Sequence, residues 1–334
     1  MAVQSVRLRR NVQRCDVYER WDHDLLLLFG TNIIASIPAH SVYFGGSDAG
    51  RFIITALSKS QVDGEPFFTL TQNALADNTY RNYLQQMYGA KLHLPSDQDS
   101  SHAFQDYMKE ATERLNSGKL KPDEHVANSA GRISVSGMGA VMEINGKLVR
   151  QIFDKNSDRE FYIEESWPLD WMYPYLMPHG LIMKLNRQPL ATLDQSMVDA
   201  DRAYWSGMVE QLLGCKIDEE TSLQEIIDFA ERIRLKRDLT GFKGNARFLS
   251  SSEAQNAFAR LRIAIAGIYA WRAKNGDDAA DRQRMALEAD LAFRQAFALS
   301  PGTETLSRYA EMLDDENRTA DEQLLKDAVL RFSH

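Results

Sequence analysis

Ser41-Val-Tyr-Phe-Gly-Gly-Ser-Asp-Ala-Gly-Arg-Phe-Ile-Ile-Thr-Ala-Leu57 is the stretch whose reading decides the fold. Ser41 to Phe44 is β-rich, two glycines break the run, and Asp48 stands where a helix N-cap belongs. Phe52, Ile53, Ala56 and Leu57 then share one apolar face at helical spacing. The order is strand, glycine turn, helix. It recurs downstream: Pro66 to Thr71 reads as a strand, and Asp77 caps a helix through Met87 and Tyr88 that Gly89 closes. Lys91 to Leu94 reads as a third strand, followed by a helix from Asp97 to Leu115. Upstream, Asp16 to Ile37 has helical spacing and Pro38 stops it. Alternating strands and helices on short links predict a Rossmann-like, mostly parallel sheet flanked by helices.

Beyond the polar stretch from Lys119 to Ala130, Asn145-Gly146 is a hairpin signal. Leu148, Val149, Ile152 and Phe153 fit a helix capped by Asn145 better, and the helix is the reading adopted. Phe161 to Glu165 and Gly180 to Leu185 read as two more strands. From Asp194 onward the pattern is all-α, with helices near 194–213, 221–237, 253–273, 280–299, 303–315 and 319–332. Ala289, Phe293 and Ala296 hold the small–aromatic–small positions of a tetratricopeptide repeat's second helix, and Gly267 and Tyr269 suit close packing in the helix before it. The inter-helix spacing exceeds the repeat consensus, so the tail reads as TPR-like. The predicted architecture is α/β plus all-α, an α/β domain over 1–190 and a helical domain over 191–334.

Length agrees with two domains, since 334 residues exceed one ordinary core. A net charge of −8 disfavours nucleic acid as a partner. The best basic run, Arg232-Ile-Arg-Leu-Lys-Arg237, alternates with apolar residues and reads as a solvated helix face. The longest apolar run, Leu25 to Ile37, falls short of the roughly 20 residues a bilayer span needs. Asp22 and Asp24 ahead of it do not suit a signal peptide. Cys15 and Cys215 form no CxxC pair and read as free thiols, with a bridge left open.

Three segments offer sites. Gly45, Gly46, Ser47, Asp48 and Arg51 make a glycine-rich turn at a helix start, which is either an anion seat or a tight turn capped by Asp48. It matches neither GxGxxG nor a P-loop, and Asp48 opposes a phosphate. Gln72, Asn73, Asp77, Asn78 and Tyr80 follow the second strand and are expected beside that turn, where open α/β folds bind ligands. Their amides and hydroxyls suit sugars or peptide backbone, and turn chemistry explains Asp77 and Asn78 equally well. Glu164, Glu165, Trp167, Asp170, Trp171 and Tyr173 interleave acids with rings, as a sugar platform would, or else form an aromatic plug. Adjacent strand residues point to opposite faces, so Glu164 and Glu165 do not make an acid/base pair. The seven histidines show no HxH or HxxxH spacing and no GxSxG elbow occurs, so no metal, cofactor or catalytic residue is assigned.

Val42 to Phe52, Thr71 to Tyr80, Asp154 to Ser166, Pro168 to Pro174, Asp238 to Gly244 and Ala292 to Leu299 together resemble a bacterial family of multi-spanning membrane proteins. That family is related to the protein O-mannosyltransferases and has a GT-C glycosyltransferase core. The likeness extends over residues 20–332 and is to the C-terminal region that follows the transmembrane helices and ends in tetratricopeptide-like helices. The resemblance implies an accessory module, cut from or encoded apart from its membrane partner. The family's polytopic catalytic part has no counterpart in these residues, and none of its catalytic positions can be carried over.

Three functions follow as expectations. The first is a non-catalytic module recognising a protein or glycan acceptor for a membrane glycosyltransferase, placed by the resemblance at the membrane, on its outer face. The second is a stand-alone enzyme taking a nucleotide-sugar or sugar phosphate at the Gly45–Arg51 turn. The third is a structural subunit of a larger assembly.

Overall fold

A computed structural model describes residues 21–58, 64–120, 125–129, 132–165 and 168–332. Trp167 and Cys15 lie outside the described residues. Strands β1 (Val42–Gly45), β2 (Phe68–Thr71), β5 (Phe161–Glu164), β6 (Leu176–His179) and β7 (Ile182–Leu185) form a five-stranded sheet in the order β2-β1-β5-β7-β6. A separate pair, β3 (His125–Ser129) and β4 (Arg132–Ser136), is antiparallel. Its first strand falls within the polar stretch read over Lys119 to Ala130, and its second lies just beyond it.

The described residues of 37–161 make one compact unit, and those of 16–36 together with 162–334 make the other. In the first unit β1 pairs in parallel with β2, from Val42↔Phe68 to Gly45↔Thr71, so both strands end at one edge. Both strands are buried along their whole length, as β-branched and aromatic runs in a parallel pair require. Phe44 stacks on Phe161 at 6.0 Å, and Phe68 meets Tyr88 edge-on at 5.3 Å. Helices α2 (Asp48–Ser58), α3 (Asn78–Tyr88), α4 (Asp97–Ser117) and α5 (Met138–Lys155) complete this unit.

Two expectations fail here for the same physical reason, a side-chain amide doing the work of backbone. Lys91 to Leu94 is a turn, not a third strand. The N–H groups of Lys91 and Leu92 both donate to Tyr88 O. Asn156 accepts from His93 N (2.8 Å) and donates to His93 O (3.0 Å), filling the bonds a neighbouring strand would have made. Asn145 does not cap α5, which starts seven residues earlier; it lies inside the helix, 1% exposed. There its Oδ1 accepts from Ala76 N (2.8 Å) and its Nδ2 donates to Asn73 O (3.2 Å).

Helix α4 opens with a reciprocal cap: Ser96 Oγ accepts from Asp99 N, and Asp99 accepts from Ser96 N. The Ser96 hydroxyl, donating to Asp99 Oδ2 at 2.6 Å, and the Ser96 N–H, donating at 2.8 Å, hold the Asp99 carboxyl below its usual range. A depressed carboxylate contributes stability that is present above its unfolded value and lost as pH falls through the folded one. Ser96→Ala is therefore expected to cost about 1 kcal/mol at neutral pH. The gap from wild type in urea titrations should narrow below about pH 4.

The second unit adds an antiparallel end to the sheet. The sheet is mixed, mostly parallel at one end, because β6 and β7 form an antiparallel hairpin whose turn places Gly180 at φ +62°. Leu176–His179 contains Pro178 and escaped the strand reading. The unit also holds α1 (His23–Ser36), α6 (Gln195–Leu213), α7 (Leu223–Ala230), α8 (Ala246–Ser250), α9 (Ser252–Asn275), α10 (Ala279–Leu299), α11 (Thr303–Asp315) and α12 (Thr319–Phe332). The helices match the periodicity closely except that the one expected over 221–237 is α7 followed by a π turn, Glu231–Leu235, and that α8 had no expected counterpart. Arg234, read as part of a solvated face, instead donates to the carbonyls of Ala298 (3.0 Å) and Leu299 (2.6 Å) at the end of α10. Ala289, Phe293 and Ala296 are buried, with Phe293 stacked on Tyr309 at 5.2 Å.

Candidate functional site

The register Gly45↔Thr71 sets the first two candidate segments side by side at the ends of β1 and β2. At the glycine turn a Cβ on Gly45 would lie 3.0 Å from the Arg51 Cα, so the close return of the chain there favours glycine. Gly46 is buried beside it. The cap belongs to Ser47, whose Oγ accepts from Gly50 N at 3.0 Å, and not to Asp48. Asp48 accepts from Arg51 Nε at 3.1 Å, and the guanidinium lies over the Phe52 ring. Two donors that an anion would use, Gly50 N and the Arg51 guanidinium, thus already have acceptors within the turn.

In the second segment Asp77 caps α3 as expected, accepting from Thr79 N and Tyr80 N. Tyr80 Oη accepts from Thr71 N at 2.6 Å, Gln72 is buried, and the Asn73 carbonyl is held by Asn145. Arg81, 7% exposed, ties the loop from within by donating to Leu75 O (3.1 Å) and Ala76 O (2.8 Å). Only Asn78 of this group reaches an open cleft, which is lined by α3 and α4.

The third segment lies in the other unit. Glu164 and Glu165 are both buried, so neither belongs to an open platform. Asp170, Trp171 and Tyr173 fall on a short 3-10 turn, Asp170–Tyr175. Tyr173 stacks on Trp271 of α9 with 5.8 Å between centroids and 18° between planes. Its hydroxyl accepts from Arg308 Nη2 of α11 at 3.3 Å. Trp171 packs edge-on against Tyr175 instead. Arg272, one residue past Trp271 and 3% exposed, donates to Leu190 O (3.1 Å), and to Pro174 O and Leu176 O (both 3.4 Å), pinning the turn to the helix. Burial lowers the Arg272 pKa.

These elements enclose a groove of about 290 Å³, in which the stacked rings meet Asp170, Lys274, Arg308 and Glu311. Lys274 is bonded to Asp315 at 2.8 Å, which raises its pKa. At Gly267 a Cβ would land on the Arg308 guanidinium of α11, so the glycine leaves the slot in which that cation rests. The groove joins Asp170 and Tyr173, which the sequence nominated, to Trp271, Lys274 and Arg308, which it did not. A signal existed in the spacing of Gly267, Trp271 and Lys274, one turn apart on a single face of α9.

Among the described residues no three His, Cys, Asp or Glu side chains are placed to hold a metal, and no helix is long and apolar enough to cross a membrane. Cys215 is free and partly buried, and burial pushes its thiol up to about 11. Comparison with protein-family models, curated proteins and solved structures finds no match for this chain.

Proposed function

We propose that this chain is a recognition module working with a polytopic membrane glycosyltransferase of the GT-C, protein O-mannosyltransferase-related kind, and that it holds the enzyme's protein or glycan acceptor without performing the transfer. The observation that carries the reading is the groove: two stacked rings edged by Asp170, Glu311, Arg308 and Lys274. A ring face takes an apolar sugar or side-chain face, while carboxylates and cations fix hydroxyls and amides around it. The α9–α12 helices, read as a TPR-like tail, supply the surface on which the partner docks. By the family resemblance the module works at the membrane, on its outer face. The competing reading, an enzyme gripping a sugar phosphate at the Gly45–Arg51 turn, is disfavoured by the pairing of Arg51 with Asp48 and of Ser47 with Gly50.

The test is reconstitution. Purified chain should transfer no sugar alone, and should bind the co-expressed polytopic enzyme and lower the KM for its acceptor. Trp271→Ala should erase that gain by tenfold or more, the loss of about 1.4 kcal/mol of binding, with the circular dichroism spectrum unchanged. Sugar transfer by the isolated chain, or a Trp271→Ala module that works as well as wild type, defeats the proposal.

A further inference from the structure

The cleft between α3 and α4 has an architecture that the glycine turn and the aromatic groove do not share. It is open, about 590 Å³, within the size range of small-molecule sites. Asp97, Ser100, Ser101, Phe104 and Gln105 of α4 line it, at the i, i+3, i+4, i+7, i+8 spacing of a single helix face. The core face of α4 is a different one, carrying Ala103, Tyr107 and Ala111. Four of the five cleft-facing residues are hydrogen-bonding, yet the fifth is a phenylalanine left 47% exposed.

We infer that this cleft binds a neutral hexopyranose, with the Phe104 ring under the sugar and the Asp97 carboxylate on its hydroxyls. The carboxylate is prepared for the task. Arg81, buried and anchored to two backbone carbonyls, donates to Asp97 Oδ1 at 2.6 Å. The Asp97 side chain nevertheless stays 67% exposed, with its other oxygen a fixed acceptor. Asn78 is oriented as well: its Oδ1 accepts from Asn82 Nδ2 at 2.8 Å, which leaves its NH₂ as a donor. Gln105 adds a second amide and Ser100 a hydroxyl. A ring flanked by a carboxylate and amides matches a pyranose, whose axial C–H face is apolar and whose rim both donates and accepts.

The charges exclude the nearest alternative. A phosphate would meet Asp97 directly, and the one cation lining the cleft, Arg81, already has Asp97 on its guanidinium. An uncharged polyol meets no such repulsion. The inference needs no glycosyltransferase partner, and it concerns the unit that does not contain the aromatic groove, so either can fail alone.

The experiment is ligand-observed saturation transfer on the full chain, using methyl glucoside, galactoside and mannoside and the disaccharides maltose and cellobiose, with inorganic phosphate and a neutral blocked dipeptide as comparison probes. At about 10 mM glycoside, above the millimolar dissociation constant expected of one ring, at least one sugar should show saturation at its C–H face. Phe104→Ala should weaken that sugar at least tenfold while the melting curve stays put, and Asp97→Asn, which also loosens Arg81, should weaken it likewise when compared at a temperature where both proteins are fully folded. Trp271→Ala should leave it unchanged. The inference is overturned if no sugar binds, if phosphate or the dipeptide binds in preference, or if Phe104→Ala binds like wild type.

Discussion

Asp201→Ala is expected to destabilise the second unit by roughly 3–5 kcal/mol, the largest loss we anticipate from removing a single side chain. Asp201 on α6 and Arg262 on α9 are each 1% exposed at the side chain and meet at 2.8 Å. Around them Tyr269 donates to the same carboxylate oxygen (2.9 Å), Arg262 Nε donates to Gln295 of α10 (2.9 Å), and the guanidinium lies over Trp205. Burial beside that carboxylate drives the Tyr269 pKa upward, which keeps the hydroxyl a donor. Without Asp201 the guanidinium is left charged in the core, because an arginine does not deprotonate to escape. The reverse variant, Arg262→Met, leaves a carboxylate that can neutralise by taking up a proton. A buried acid that binds its proton more tightly folded than unfolded loses stability as pH rises. The Arg262→Met penalty should therefore shrink toward acid pH, while that of Asp201→Ala stays flat from pH 5 to 9. Replacing both with apolar residues should restore most of the loss. Urea unfolding of the four proteins at three pH values checks this. An Asp201→Ala protein within about 1 kcal/mol of wild type would show that the pair is not the keystone its burial suggests.

That network bears on function through α9. The same helix that is pinned by Arg262 presents Gly267, Trp271 and Lys274 to the groove, so loosening it displaces one wall of the proposed acceptor site. None of this was readable in the chain. Asp201 and Arg262 are 61 residues apart, and each sits in a run whose periodicity only says helix. What periodicity does encode is local. The glycine break after Phe44 and the cap before Thr79 marked two strand–turn–helix units, and their strands pair in parallel in the sheet. It failed where a side chain stood in for backbone, as Asn156 does against His93, because hydropathy cannot distinguish a strand from a turn held by an amide. The candidate sites divide the same way. Tyr173 and Asp170 stood out by composition, whereas Arg308 and Trp271 gain meaning only once α9 and α11 bring them to the 3-10 turn. The exposed ring of Phe104 was invisible for a related reason: its spacing from the core positions of α4 differs by a single residue.

Gly244→Ala should cost about 2–4 kcal/mol, although it adds one methyl group. Gly244 closes the phrase Asp238 to Gly244, and the backbone there passes directly over the end of α6. Asn245 N donates to Leu212 O at 3.0 Å, and a Cβ on Gly244 would strike Leu212 O, the carbonyl carbon of Leu213 and the nitrogen of Gly214. The obstacle on both sides is main chain, so no rotamer change relieves it. Gly214, the C-cap of α6 at φ +69°, faces the converse problem: its own Cβ would strike Gly244 N and Lys243 C. Gly214→Ala adds a left-handed penalty of roughly 1–2 kcal/mol to that collision and should be the worse of the two. Two controls separate crowding from backbone preference. Gly118→Ala keeps a positive φ of +67° but has nothing within 4 Å, so it should lose only that left-handed penalty. Gly207→Ala, inside α6 with open space around it, should gain about 0.5–1 kcal/mol from helix propensity. If melting temperatures place Gly244→Ala level with Gly118→Ala, the two backbones do not pass as closely as this geometry requires.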